Sequence, residues 1–298
     1  MIPTLEQIDE LHRNIAPSKE AYDLIHTHCV IVARIARALA HRQNMLFSRR
    51  CTLPKDAKEL QWLSGGVAAA SDDGECGYAL GGTDCAMADA AMADGIQETA
   101  PAGSGSLHIA AGVGLNRPAH APTWTVPPSD GIEGGRVPGR LIDERLVVIG
   151  GLLHDIGTYR VLKHDGSDGE PLKFSGKRYI LHGLLGYEYL LEQGVDEEIA
   201  QFARNHTGVG LRREDVERQG LPLPPDDYVP MNLEQETVMV ADKYHSKSVP
   251  PKFVSAQAYT ARAERFGEEN KRRWLDVLDQ YGTLDVAPLA EEYGMRMI

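Results

Sequence analysis

The chain holds 298 residues, 42% of them hydrophobic and 25% charged, enough for one domain with a sizeable core or for two small ones. A net charge of −12 excludes nonspecific attachment to nucleic acid or a membrane through a broad basic field, and no run approaches the roughly 18 apolar residues that a membrane span needs. Cys29, Cys51, Cys76 and Cys85 form neither a CxxC pair nor a disulfide framework. Together with the lack of a basic and apolar leader after Met1, they set the expectation of a cytoplasmic protein.

Residues 4 to 15 read as a short amphipathic helix with Leu5, Ile8, Leu11 and Ile15 on one side. Pro17 breaks it, and Ser18 is a natural N-cap for a second helix, in which Leu24, His28, Ile31, Val32, Ile35, Ala36 and Leu39 recur at three- and four-residue steps. That spacing puts His28 on the inward stripe, as either a satisfied core residue or a metal ligand. From about Cys51 to Arg140 the periodicity stops, and Gly, Ala, Ser, Asp and Pro dominate, as in Pro101-Ala102-Gly103-Ser104-Gly105-Ser106. This stretch reads as an insertion, a long surface loop or a lid, with a short Ala/Met-rich helix over 84–94 and an apolar patch over 109–115.

Core patterning resumes at Leu141. An almost wholly apolar helix through Ile149, Leu152 and Leu153 delivers an adjacent imidazole and carboxylate, His154 and Asp155, before Gly157 stops it. Thr158 to Tyr179 reads as a polar loop whose cations, Arg160 and Lys177 among them, are candidates for contact with a phosphate. A helix from His182 to Gln193, closed by Gly194, and another from Asp196 to Asn205, leading to His206, place both histidines at helix ends. Four prolines between Leu221 and Pro230 exclude regular helix there. Asn232 then caps a helix that carries Asp242 amid Val238-Met239-Val240-Ala241. A carboxylate in such company is costly to bury alone, so a bound metal explains it economically. Lys243 and Lys247 fall on the same expected helix, either as further phosphate contacts or as solvated side chains. Helices over 256–266 and 268–281 close the fold, and 282–298 is read as a tail.

The order His28, His154-Asp155-Ile156-Gly157, His182, His206, Asp242 resembles the HD superfamily of metal-dependent phosphohydrolases, within it the small bacterial HDIG-domain proteins. The likeness extends over Asn205-His206-Thr207-Gly208 and Ala241-Asp242-Lys243 and covers roughly residues 18–50 and 141–281. It implies an all-α helical bundle assembled from residues 1–50 and 141–281, with 51–140 inserted between its two parts. It also implies a divalent metal centre of one or two ions. In that picture His28, His154, Asp155 and Asp242 form the mononuclear set, and His182 and His206 extend it to a binuclear one bridged by Asp155, with His154 and Asp155 the residues that carry catalysis.

Imidazole and carboxylate without thiolate suit Mn, Fe, Co, Ni, Zn or Mg. The expected reaction is attack of a metal-activated water on a phosphate ester or anhydride of a small, nucleotide-like metabolite. Two other readings stay open: the resemblance also extends to HD-fold proteins with a similar six-ligand site that are mixed-valent di-iron oxygenases, and the long insertion allows a metal-stabilised, catalytically silent regulator.

Overall fold

In the computed structural model, which describes residues 1–54 and 131–298, the first helix is set by its own termini. Thr4 and Gln7 form a reciprocal capping box, Gln7 N–H donating to Thr4 Oγ1 at 3.3 Å and Thr4 N–H to Gln7 Oε1 at 2.9 Å, and α1 runs Leu5–Ile15. Its inward face is Ile8, Leu11 and His12; Leu5, expected on that side, is exposed. Ser18 Oγ accepts Ala21 N–H at 3.0 Å and starts α2, Lys19–Thr52. The expected 84–94 helix and 109–115 patch lie outside the described residues.

The described residues fall into two units. The first comprises Met1–Ala40, Ile142–Leu278 and Leu284–Ile298. It holds α3 (Glu144–Leu153), a 3-10 turn (Ile156–Val161), α4 (His182–Glu192), α5 (Glu197–Arg204), α6 (Arg213–Gln219), α7 (Leu233–Asp242) and α8 (Ala256–Glu264). The helix α9 (Glu268–Tyr281) and the short α10 (Ala287–Glu292) follow. The short strands among the described residues are numbered in chain order from β1 (Ile132–Glu133) to β7 (Arg296–Met297), with β6 at Thr283–Leu284. Within this unit α4 packs on α5 and on the 3-10 turn, and α3 packs on α7, around a core that includes Ile25, Cys29, Leu153, Ile156, Leu190 and Ile199. The fold is predominantly helical, as expected.

Two glycines let these helices approach. A Cβ on Gly151 would lie 2.6 Å from the Ala33 Cα of α2, and one on Gly157 would lie 2.1 Å from the His182 carbonyl oxygen and 2.2 Å from the Gly186 nitrogen. The first contact sets His154 against His28; the second presses the turn after Asp155 onto the start of α4, where His182 stands.

Several local expectations change. The segment after Asp155 is not a polar loop throughout: Thr158 and Tyr159 are buried in the 3-10 turn, and β2 (Leu162–His164) pairs antiparallel with β3 (Lys173–Phe174). The helix with Asp242 ends there, so Lys247 lies beyond it, after β4 (His245–Ser246). β4 pairs antiparallel with β5 (Lys252–Phe253), which pairs parallel with β7 (Arg296–Met297). The residues read as a tail therefore close a three-stranded sheet, and Ile298 N–H donates to Phe253 O at 3.1 Å. Along α9, Trp274 and Tyr281 are buried, whereas Leu275 is exposed.

In the second unit, His41–Leu141 with Asp279–Thr283, the described residues are held by polar contacts. The Arg42 guanidinium donates to Gly134 O at 3.1 Å, and Gln43 and Gln280 exchange amide hydrogen bonds, Gln43 Nε2 to Gln280 O at 2.8 Å and Gln280 Nε2 to Gln43 Oε1 at 2.9 Å. Burial lowers the Arg42 pKa to about 10. Among the described residues no helix is long and apolar enough to cross a membrane.

Candidate metal centre

His154 caps the C-terminus of α3 and Asp155 follows it at the head of the 3-10 turn. His182 opens α4, His206 follows α5, Asp242 ends α7, and His28 lies inside α2. All six come together. His28, His154, Asp155 and Asp242 offer donor atoms within 4.8 Å of one another, and so do Asp155, His182 and His206. Asp155 belongs to both groups: its Oδ2 is 3.0 Å from His28 Nε2, and its Oδ1 is 3.5 Å from both His182 Nε2 and His206 Nε2. Thr158 Oγ1, missed in the sequence, donates to that same Oδ1 at 2.8 Å and fixes the carboxylate plane.

The histidines are oriented by one repeated device. Each of three rings places Nδ1 on the carbonyl three residues earlier: His154 on Gly151 O at 2.7 Å, His182 on Tyr179 O at 2.6 Å and His206 on Ala203 O at 2.7 Å. A carbonyl only accepts, so Nδ1 carries the proton and the neutral ring turns its Nε2 lone pair inward. Yet His182 Nε2 and His206 Nε2 face each other at 3.0 Å. Two lone pairs at that distance repel unless both converge on one cation, and a proton is disfavoured. Burial lowers His182 to about 3 and also lowers His206, although Asp155 opposes the shift in both. The donor set therefore fits a metal ion and not a neutral hydrogen-bonded core.

The carboxylates point the same way. Burial works to raise Asp155, but Lys247 and His154 outweigh it and hold the group well below the usual carboxylate range. Lys243 and His154 do the same for Asp242. Asp155 Oδ2 nonetheless accepts no hydrogen bond of sound geometry, even with the His28 and Lys247 nitrogens crowded against it as ion-pair partners. An anionic, buried and poorly satisfied oxygen is what a divalent cation completes.

The two lysines are neither solvated nor alike. Lys243 Nζ donates to Asp242 Oδ2 at 2.7 Å and to His206 O at 3.0 Å, tying two site residues together. Lys247 is buried on Asp155 and lies over the Tyr179 ring at 5.4 Å. Burial opposes its charge, but Asp155 and Tyr179 raise its pKa above the ordinary lysine value. By contrast, Lys177 is exposed, and Arg160 pairs with Glu192 at 2.9 Å and covers Tyr189 at 5.1 Å. Neither lines the cavity.

That cavity, about 440 Å³, opens from His182, His206 and Asp242. Its wall carries Lys243, Lys247, Arg218, Arg262 and Arg273 against Asp215, Asp242 and Glu269, a positive balance in a chain of net charge −12. Tyr179, Tyr259 and Phe266 supply apolar surface. The arginines come from α6, α8 and α9, far along the chain from the motif, and no local signal marked them. His245 was missed for the same reason. It is buried, its Nδ1 is 2.8 Å from His28 Nδ1, and burial, with His28 close by, lowers it to about 2.

Comparison with known proteins agrees with this geometry. Residues 130–247 match the family model of the HD domain. An uncharacterized protein of Methanocaldococcus jannaschii is 39% identical over 104 residues, 35% of this chain and 51% of that protein. tRNA (cytidine(56)-2'-O)-methyltransferases of Picrophilus torridus and Thermoplasma volcanium are 34% and 33% identical over 100 residues, 34% of this chain and 24% of each enzyme. The chain thus spans about half the length of the first relative and about a quarter of the others. No solved structure matches. With its His-Asp motif at the centre of a helical donor cluster, the segment over residues 130–247 is an HD domain.

Proposed function

We propose that this protein is a metal-dependent phosphohydrolase that cleaves a phosphate ester or anhydride of a small phosphorylated metabolite of nucleotide-like size. The observation that carries the reading is the pair of donor groups sharing Asp155 at the floor of a cationic cavity. His28, His154, Asp155 and Asp242 would hold one divalent ion, and Asp155, His182 and His206 a second. Such ions supply Lewis acidity and lower the pKa of a coordinated water toward neutrality.

The chain's own residues do the rest. Lys243 holds the Asp242 carboxylate in place, Thr158 holds Asp155, and the three Nδ1–carbonyl bonds keep the imidazole lone pairs aimed inward. Lys247 stands between Asp155 and the cavity, where its ammonium can take a phosphate oxygen. Tyr179 and Tyr259 line the cavity and offer flat surface to a ring. Methyl transfer is not carried over from the two tRNA-modifying relatives, because only 24% of each is represented here. A soluble partner chain or an extended nucleic acid is not required by this reading.

The test is elemental analysis of untagged protein, followed by a phosphate-release screen over nucleotides and sugar phosphates with Mn, Co, Ni, Zn and Mg. Metal-dependent phosphate release that vanishes in Asp155→Ala supports the proposal. Two equivalents of iron with oxygen uptake and no phosphate release would replace it with a di-iron oxygenase, and metal without any turnover would leave a metal-stabilised regulator.

A further inference from the structure

Three of the four inward histidines secure Nδ1 on a backbone carbonyl; His28 does not. It lies within α2, where the helix's own hydrogen bonds occupy the nearby carbonyls, and its Nδ1 instead meets His245 Nδ1 at 2.8 Å, the two rings stacked with centroids 5.1 Å apart. Of two facing Nδ1 atoms, one must donate and the other accept. For His28 to turn its Nε2 lone pair toward His154, Asp155 and Asp242, its Nδ1 must carry the proton, so His245 Nδ1 must be the acceptor. His245 then bears its own proton on Nε2, which faces Met295 Sδ at 3.3 Å. A thioether can only accept, so the contact suits that tautomer and no other neutral one.

We infer that His245 is the positioning residue for the first metal ligand: a chain from Met295 through His245 to His28 fixes the tautomer in which His28 can bind an ion. The inference rests on the metal reading above. It gives the last strands a role, since His245 is held in β4 by its pairing to β5, β5 pairs in turn with β7, and Met295 immediately precedes β7. The residues that read as an uninformative tail thus reach the metal centre through one imidazole. Phe253, edge-on to His245 at 4.9 Å, keeps that ring from turning.

The test uses the full chain and Zn(II) as probe. Chelator-competition titrations compare wild type with His245→Phe, which removes the acceptor, and His245→Asn, whose carbonyl oxygen replaces Nδ1. Loss of an outer partner of a ligating histidine weakens metal binding by about 10- to 100-fold. His245→Phe should show that loss in one binding step, and His245→Asn should recover to within about threefold of wild type.

Because His245 is buried and the phenylalanine variant can fail to fold, a second measurement stands on the wild type alone. Long-range proton–nitrogen correlation of the Zn-loaded protein should show His28 protonated at Nδ1 and His245 at Nε2. Equal Zn affinity in wild type and His245→Phe, or a proton on His245 Nδ1, overturns the inference while leaving the metal site intact. No Zn binding by folded wild type overturns the underlying metal reading, and this inference with it.

Discussion

Asp155 presents its two oxygens to two different histidine groups, Oδ2 at 3.0 Å from His28 Nε2 and Oδ1 at 3.5 Å from His206 Nε2. A carboxylate placed this way makes the two donor groups unequal partners. Replacing His206 removes one donor from one group, whereas replacing Asp155 removes one from each. We predict that Asp155→Ala loses all tightly bound metal and that His206→Ala loses only the fraction held with His182. Metal-to-protein ratios after exhaustive dialysis, measured by elemental analysis, check this. Full occupancy in Asp155→Ala would refute the shared-carboxylate arrangement.

Lys247 gives a prediction with two opposite signs. Its ammonium sits on the same Asp155 oxygen that a cation would approach, so it competes with the metal while standing ready for the substrate. Lys247→Met should bind Zn about tenfold more tightly, since removing one like charge a few ångströms away is worth about 1.4 kcal/mol or more. The same variant should lose phosphohydrolase efficiency by about 100-fold, the usual consequence of removing one donor to a developing oxyanion. A loss in both quantities would mean that Lys247 is structural only.

The approach of the 3-10 turn to α4 rests on Gly157. Gly157→Ala puts a methyl 2.1 Å from the His182 carbonyl oxygen, and backbone on both sides leaves nowhere to move. The expected cost is about 3 kcal/mol or more of stability, with weakened metal binding because His182 is displaced. At Gly194, whose φ of +74° is the left-handed region but whose surroundings are open, alanine should cost only about 1–2 kcal/mol. Urea unfolding of the two variants side by side distinguishes packing from backbone strain.

His12 predicts a pH dependence. Its Nε2–H donates to Leu152 O at 2.8 Å, its Nδ1 accepts from Tyr159 at 3.0 Å, and burial lowers its pKa to about 4 from the ordinary 6.5. Between those values the unfolded chain binds the proton and the folded chain does not, so protonation favours unfolding. Stability should therefore fall as pH drops from 6.5 toward 4, by up to about 3 kcal/mol from this residue at about 1.4 kcal/mol per unit. His12→Gln should start less stable at pH 7 but show a shallower fall. Equal slopes for the two proteins would show that His12 is not responsible.

From the sequence alone, the helical class, the Ser18 and Asn232 caps, and the residue types gathered at the metal centre were legible. These are local properties: cap chemistry acts within one turn, the apolar stripe repeats every three or four residues, and the His-Asp pair follows an apolar run; Gly157, expected to stop that helix, instead lies within the 3-10 turn after its end at Leu153. His28 and Asp242 could be placed because each was a polar side chain on an otherwise apolar helical face.

Tertiary structure decided the rest. Arg160 and Lys177 are near the motif in sequence yet off the cavity, whereas Arg218, Arg262 and Arg273 are 60 or more residues beyond His154 and line it. Which histidine nitrogen faces inward depends on the carbonyls of Gly151, Tyr179 and Ala203, and for His28 on a ring 217 residues away. The β4–β5–β7 sheet escaped notice because strands of two residues carry no periodicity of their own. Such pairings are set by the packing that brings distant backbone together, so no local window of residues contains them.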